Sequence, residues 1–349
     1  MKNKYFYSVI IFIFIFMHAS CGGAPEVQQT PAETPAPVDE APIIEPTPAP
    51  EPEPNKAEEE VPTGLVEIAE PTPEPTPEPV MFTIPESDAS GVSISENERV
   101  LIDYSNVSDG YIMVKILEES DRDFRVVIAF PNGNDHNFRL KADGEFGNFP
   151  ITHGDGDYKV SVYQRAANGA ATLLLAETIS VTLKDEFAPF LRPNYYVRYQ
   201  ENNAAIMHAW DLTKSLPSDL EKVAAVYKYV TENVTYDMAL TNNSAGYVPN
   251  IDNVMKEGIG ICFDYSVLMA AMLRSQGIPT KLIFGYVGKV YHAWVNVYSE
   301  ESGWVDVIQF GGSQWVLMDP TFAASLLDDS SALEQFIGDG SNYSVSVTF

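Results

Sequence analysis

The spacing of hydrophobic and polar residues changes once along the chain, and the change divides the folded part into two regions. From Met81 to Leu183 short runs alternate apolar and polar residues between turn residues, which is the pattern of β-strands. In the run YKVSVYQ this alternation puts Tyr158, Val160 and Val162 on one face. We therefore predict an all-β sandwich over residues 81–185.

After residue 185 the apolar residues recur with helical spacing. The segment 218–232 has an amphipathic pattern with Ser218 as its N-cap, and a second helix is predicted from Cys262 to Gln276. The strand-like runs KLIFGYV, HAWVNVY, GWVDVIQF and WVLMD follow. Helices followed by an antiparallel meander predict an α+β domain over residues 186–349.

The first 21 residues have the features of a bacterial lipoprotein signal. Two lysines precede an apolar run that is too short for a comfortable transmembrane helix, and small residues precede Cys21. We predict that Cys21 is the lipidated first residue of the mature protein, which would anchor it to the outer face of the cell membrane. Ordinary cleavage with an incidental Cys21 is the alternative.

Residues 22–80 have the composition of a disordered tether. They hold 16 of the 25 prolines and 14 acidic residues against one lysine, and the segment PTPE occurs twice in succession. Such a chain buries too little apolar surface to fold. In an extended polyproline conformation it would span up to about 180 Å.

Charge and cysteine content exclude several classes of function. The net charge of −28 argues against nucleic acid as a partner, because a chain with 21 basic and 49 acidic residues would not neutralise phosphates. Two cysteines form neither a disulfide framework nor a four-cysteine zinc site. Cys21 and Cys262 therefore each need an explanation of their own.

Three residues suggest nucleophilic catalysis. Cys262 stands at the predicted start of a helix, where the positive end of the dipole favours a thiolate. Strand alternation puts His292 on one face with Trp294, and Asp319 ends a predicted strand. Taken singly, a lone cysteine is usually core packing and a strand histidine is usually structural, so only the combination indicates chemistry.

Six short motifs in order resemble the transglutaminase-like superfamily. They cover about 218–322 and comprise Gly260-Ile-Cys262-Phe-Asp264-Tyr, Leu273-Arg-Ser-Gln-Gly277-Ile-Pro279, Gly285-Tyr286, His292-Ala-Trp294-Val, Gly303-Trp304-Val and Asp319-Pro-Thr321. The resemblance implies a papain-like core with Cys262 as nucleophile, His292 as general base and acid, and Asp319 as the residue that orients the histidine. It implies no metal or organic cofactor.

One departure from the family pattern leaves a second candidate acid. Fourteen residues separate the Gly-Trp motif from Asp-Pro-Thr, and Asp306 lies among them. We prefer Asp319, because it carries the Pro-Thr and follows a strand of its own. Asp264 is interpreted as a first-turn carboxylate that stabilises the helix end. Arg274 and Tyr286 are interpreted as structural, Trp294 and Trp304 as walls of the cleft and core, His208 as surface or packing, and His136 and His153 as surface residues.

Together these observations predict a surface lipoprotein with a thiol hydrolase or acyltransferase domain. Its expected substrate is a protein or a cell-envelope peptide, attacked through a thioester on Cys262. Water would make the enzyme a cysteine protease or amidase, and a lysine amine would make it a transglutaminase. The alternative is a non-catalytic binding or adhesion protein that uses the β-rich region, which resembles bacterial immunoglobulin-like modules, beside a vestigial triad.

Overall fold

The computed structural model describes residues 80–130, 135–241, 244, 246–300, 303–305, 321 and 341–349. The predicted export signal with Cys21, and the predicted tether except for Val80, lie outside the described residues. Asp306 and Asp319 lie outside them as well. The described residues all belong to one compact unit.

Two four-stranded antiparallel sheets make up the first half of the described chain. The first sheet has the order β1-β2-β3-β6 and the second has the order β5-β4-β7-β8. The strands are β1 Ile94–Glu96, β2 Val100–Asp103, β3 Tyr111–Ile116, β4 Ser120–Ala129, β5 His136–Ala142, β6 Gly147–Pro150, β7 Gly156–Arg165 and β8 Ala171–Val181. This β-rich region agrees with the strand alternation in the sequence.

Alternating side chains from both sheets enter one hydrophobic cluster. Tyr158, Val160 and Val162 on β7 are all buried, as the sequence pattern predicts, and Val114 and Ile116 of the other sheet belong to the same cluster. The hydroxyl of Tyr158 donates to the carbonyl of Gly154 at 2.8 Å and accepts from the amide of His153 at 3.1 Å. These bonds close the turn before β7.

The second half of the described chain combines helices with a third sheet. The helices are α1 Ala204–Thr213, α2 Asp219–Asn233, α3 Met238–Thr241, α4 Ile251–Glu257 and α5 Cys262–Arg274. The sheet has the order β13-β12-β11-β14, formed by β11 Thr280–Val287, β12 Val290–Ser299, β13 Gly303–Val305 and β14 Tyr343–Thr348. A short parallel pair, β9 Thr235–Tyr236 and β10 Ile259–Gly260, precedes α5.

Both predicted helices are present, close to their predicted bounds. Ser218 caps α2, because its hydroxyl accepts from the amide of Glu221 and the Glu221 carboxylate accepts from the amide of Ser218. α5 ends two residues before the predicted bound, and Gly277 takes a left-handed φ of +78° three residues later. Helix α5 packs against β11, β12 and α2 and is buried on nearly every side.

An aromatic cluster joins the β-rich region to the third sheet, and it corrects one expectation. His136 is 1% exposed rather than on the surface, because its ring packs against Phe130, Phe138 and Phe349 with centroids 4.8–6.1 Å apart. Phe349 follows β14 at the far end of the chain, so strand alternation around residue 136 could not reveal this contact. His153 is exposed, as expected.

Candidate active site

The backbone leading to Cys262 is fixed by the pairing of β10 with β9. Gly258 ends α4 with a left-handed φ of +64°, and its carbonyl accepts from the amide of Thr235 at 2.8 Å. The carbonyl of Gly260 accepts from the amide of Asp237 at 2.8 Å. The segment therefore enters α5 along a defined path.

Cys262 is the first residue of α5 and carries a free, half-buried thiol. The first amides of a helix have no partner within the helix, and no residue in the described part of the chain accepts from the Cys262 amide. The positive end of the helix dipole lies at the same point. The Cys262 carbonyl accepts from the hydroxyl of Ser266 at 2.8 Å. The thiol thus lies at a helix start with an unused amide donor.

Asp264 caps the start of α5, which agrees with its interpretation from the sequence. One carboxylate oxygen accepts from the amide of Ile261 at 2.8 Å, and the other accepts from the hydroxyl of Tyr247 at 2.5 Å. Burial raises the pKa of Asp264, and the donors from Tyr247 and the backbone partly offset this rise. A side chain at position 260 would lie 2.5 Å from the Asp264 Cβ, so this packing requires Gly260.

His292 is the third residue of β12, opposite Gly285 of β11, and it is 4% exposed. Its ring lies nearly parallel to that of Trp294, with centroids 6.4 Å apart, so the two side chains share a face as the alternation predicts. Gly285 makes room for this face, because a Cβ there would lie 2.7 Å from the Trp294 ring and 2.0 Å from the Ser344 carbonyl oxygen.

The fold brings the helix that begins with Cys262 against the strand that carries His292. A side chain that the sequence interpretation left without a role also belongs to this region. Burial raises the pKa of Tyr291, and the neighbouring Tyr286 and Cys262 raise it further. In the sequence, Tyr291 is marked only by its position directly before His292. Asp319, the third predicted member, lies outside the described residues.

The remaining candidates have structural surroundings. Arg274 is fully buried and donates to the carbonyls of Arg192, Thr280 and Phe349, at 2.9 Å each. The Trp304 ring packs near Phe190 and Tyr298, with the Lys281 ammonium 3.6 Å from its centroid. His208 packs on Tyr229 with ring centroids 4.3 Å apart. By contrast, Tyr286 is 44% exposed at the end of β11.

Tyr247 is the contact that sequence reasoning missed. It lies in the segment between α3 and α4, 17 residues before its partner Asp264, and no local pattern marks it. Its hydroxyl donates to the second oxygen of a buried carboxylate, and burial, followed by this contact with Asp264, raises the pKa of Tyr247. Only the folded arrangement of α4 and α5 reveals the pair.

Metal and membrane features are absent from the described part of the chain. Within 80–130, 135–241 and the other described segments, no three His, Cys, Asp or Glu side chains are grouped to hold a metal ion. None of the described helices is long and apolar enough to span a bilayer.

Comparison with known families identifies the domain in which these residues lie. Residues 206–308 match the model of the transglutaminase-like superfamily. The chain contains a transglutaminase-like domain. The matched residues include α2, the start of α5 with Cys262, and the strand with His292. The motif-based resemblance is therefore confirmed, and the fold is a mixed α/β structure with a transglutaminase-like core.

Relatives share this domain over a small part of their length. The chain is 30% identical over 116 residues to YebA of Bacillus subtilis, covering 27% of this chain and 16% of YebA. It is 30% identical over 98 residues to a protein-glutamine gamma-glutamyltransferase of Pseudomonas aeruginosa, covering 24% of this chain and 13% of the relative. A solved structure of a candidate cysteine protease from Cytophaga hutchinsonii is 15% identical, with a TM-score of 0.35, over 67% of this chain and 73% of that one.

Proposed function

We propose that the protein is a thiol hydrolase or acyltransferase that acts on peptide or amide bonds through a thioester on Cys262. One observation carries the proposal: the transglutaminase-like domain has its half-buried cysteine at a helix start with a free amide, packed against the strand that bears His292. The half-buried thiol and the family match argue against a cysteine that serves only as packing, since an open amide alone is a property of every helix start.

The proposed reaction has two steps. The Cys262 thiolate forms a bond to the substrate carbonyl carbon, and His292 gives a proton to the amine that leaves as the C–N bond breaks. Water or an amine then attacks the thioester, transfers a proton to His292 and releases the thiolate. Asp319 is proposed to accept from the imidazole and orient it. This chemistry needs no cofactor.

The remainder of the chain supports a role at the cell envelope. We propose that Cys21 carries a lipid anchor, that 22–80 is an extended acidic tether, and that the substrate is a protein or an envelope peptide. The proposal of an immunoglobulin-like sandwich is supported because the chain crosses between the two sheets after β3, after β5 and after β6. The hydrogen bonds of Tyr158 at the start of β7 resemble a tyrosine corner.

Trapping the acyl-enzyme tests the proposal. The full chain is incubated with envelope peptides or glutamine-containing peptides and quenched in acid, and Cys262 is examined by mass spectrometry for an acyl adduct. We expect an adduct that Cys262→Ala abolishes, together with a hydrolysed product or, when an amine is added, an amide of that amine. Intact peptides and an unmodified Cys262 under all conditions would contradict the proposal.

A further inference from the structure

The peptide group between Ile261 and Cys262 is held from one side only. Its carbonyl, on Ile261, accepts from the amides of Asp264 at 2.8 Å and Tyr265 at 3.2 Å, so it points along α5. In a trans peptide the N–H points opposite to the carbonyl, which directs the Cys262 amide out of the helix start, beside the thiol. This amide is therefore available to a negatively charged oxygen on a bound substrate.

Asp264 fixes the peptide group that comes immediately before. Its carboxylate accepts from the Ile261 amide at 2.8 Å and is completely buried, so it cannot exchange this donor for water. The Asp264 Cβ leaves no room for a side chain at position 260, so the same turn is packed closely from the other side. Rotation of the turn before Cys262 would break the bond to Asp264 and leave a buried carboxylate without its donor, which is costly.

Tyr247 completes the arrangement from outside the helix. Its hydroxyl donates to the second oxygen of Asp264 at 2.5 Å, so both carboxylate oxygens are satisfied. Burial raises the pKa of Asp264, and the donor from Tyr247 is the largest opposing effect. Without this hydroxyl, the buried Asp264 oxygen loses a donor and the carboxyl group becomes easier to protonate.

We infer that Asp264 and Tyr247 are positioning residues that hold the Cys262 amide as the oxyanion donor. The inference rests on the proposed function. When the thiolate bonds to the carbonyl carbon, the electron pair of the C=O double bond moves to oxygen, and the Cys262 N–H donates to the resulting oxyanion. When the intermediate collapses, that pair re-forms the double bond and the leaving group departs with its own electron pair.

Two reagents separate this role from a general effect on the thiol. p-Nitrophenyl acetate acylates a thiolate through a tetrahedral oxyanion, whereas iodoacetamide alkylates it by displacement without one. Both rate constants are measured on the full chain carrying Cys21→Ser, with the background rate of Cys262→Ala subtracted. The ratio of acylation to alkylation then reports the oxyanion donor and cancels changes in thiolate concentration.

The variants are chosen to distinguish hydrogen bonding from charge. Asp264→Ala removes both contacts, and we expect the ratio to fall about 100-fold, as for loss of an oxyanion donor. Tyr247→Phe should lower it about tenfold, the equivalent of one hydrogen bond. Asp264→Asn keeps an oxygen that accepts from the Ile261 amide and an NH2 group that can donate to the Tyr247 oxygen, so the ratio should stay within about threefold of the parent, a change too small for a lost hydrogen bond. Ser275→Ala, which removes a buried hydroxyl bond to the Met272 carbonyl at the opposite end of α5, is the control with an unchanged ratio.

Three results would overturn the inference. They are an unchanged ratio in Tyr247→Phe, whether both rates are retained or fall in parallel, an Asp264→Asn variant as impaired as Asp264→Ala, and a fall of the ratio in the Ser275→Ala control as large as that in Tyr247→Phe. Thermal unfolding of each variant shows whether it is folded, and Tyr247→Phe alone decides the matter if Asp264→Ala does not fold. A parent protein that reacts with neither reagent would instead contradict the proposed function itself.

Discussion

At the scale of single residues, burial decides which polar side chains act as structure. His136, Asp264 and Arg274 are all nearly or completely buried, yet each has a different environment. Asp264 has two donors and Arg274 has three backbone acceptors, whereas neither ring nitrogen of His136 has a hydrogen-bond partner within the described residues. A buried imidazole without acceptors resists protonation.

His136 makes the stability of the folded chain sensitive to acid. Burial, assisted by the nearby His153, lowers the pKa of His136 to about 3 from an ordinary value of 6.5. Above pH 6.5 the residue is neutral in both states and contributes nothing. As the pH falls from 6.5 toward 3, the unfolded chain gains a proton that the folded chain rejects, so stability decreases by up to about 1.4 kcal/mol per pH unit.

The variant His136→Phe keeps an aromatic ring and removes this titration. We expect urea unfolding at pH 7.5 and pH 5 to show a smaller loss of stability in His136→Phe than in the parent. His208→Phe, at a histidine that packs on Tyr229 outside this cluster, is the control for replacing an imidazole with a phenyl ring. An equal loss in the parent and His136→Phe would show that acid acts elsewhere.

At the scale of secondary-structure elements, both ends of α5 are held by contacts with residues outside the helix. The first turn is held by β9, β10 and Tyr247, and the last residue is Arg274. The guanidinium of Arg274 joins α5 to three separate segments through the carbonyls of Arg192, Thr280 and Phe349. Burial lowers its pKa to about 10, so it stays charged at neutral pH.

Removing this guanidinium should destabilise the whole region. Arg274→Met keeps an unbranched side chain but leaves three carbonyls without their donor, and we expect a loss of about 3–5 kcal/mol in the free energy of unfolding. Arg274→Lys should recover only part of the lost stability, because an ammonium group cannot direct donors to three carbonyls as the planar guanidinium does. Arg198→Met, at an exposed arginine, is the control. Equal urea midpoints for Arg274→Met and Arg198→Met would disprove the role.

The elements that could be predicted from sequence are those with local signals. α2 has a capping box and a helical period, and α5 has a glycine stop after it. β14 was not predicted although its sequence YSVSVT alternates apolar and polar residues; its pairing with β11 across a long stretch of chain is what a local pattern cannot show. The same limit explains the Tyr247 contact, whereas the burial of His136 follows the alternation of β5, which puts it on the same buried face as Phe138 and Leu140. The motif residues Cys262 and His292 could be chosen because their order and spacing match a family.

At the scale of the whole molecule, the chain combines a charged, proline-rich N-terminal part with a folded part. Residues 22–80 carry 14 acidic side chains and one lysine, whereas the described residues form one compact unit. A lipid on Cys21 would tether that unit to a membrane. The anchoring prediction is independent of the proposed chemistry at Cys262.

Cys21→Ser tests the anchor. We expect the variant to leave the membrane fraction and to appear in the medium or as an uncleaved precursor, because the acyl chains supply the membrane affinity. Cell fractionation with an antibody against the folded part measures this, and Cys262→Ser serves as the matched control that stays with the membrane. Normal processing and membrane association of Cys21→Ser would refute lipidation at this residue.

The central claim, that Cys262 is a nucleophile activated by the helix start and by His292, is tested most directly by iodoacetamide labelling between about pH 5 and 9 in a Cys21→Ser background. Cys262 is then the only thiol. We predict substantial labelling at pH 6 that decreases strongly in His292→Ala, provided that circular dichroism shows the variant to be folded. Labelling that begins only above about pH 8, as for an ordinary cysteine, or that is unchanged by His292→Ala, would contradict the account.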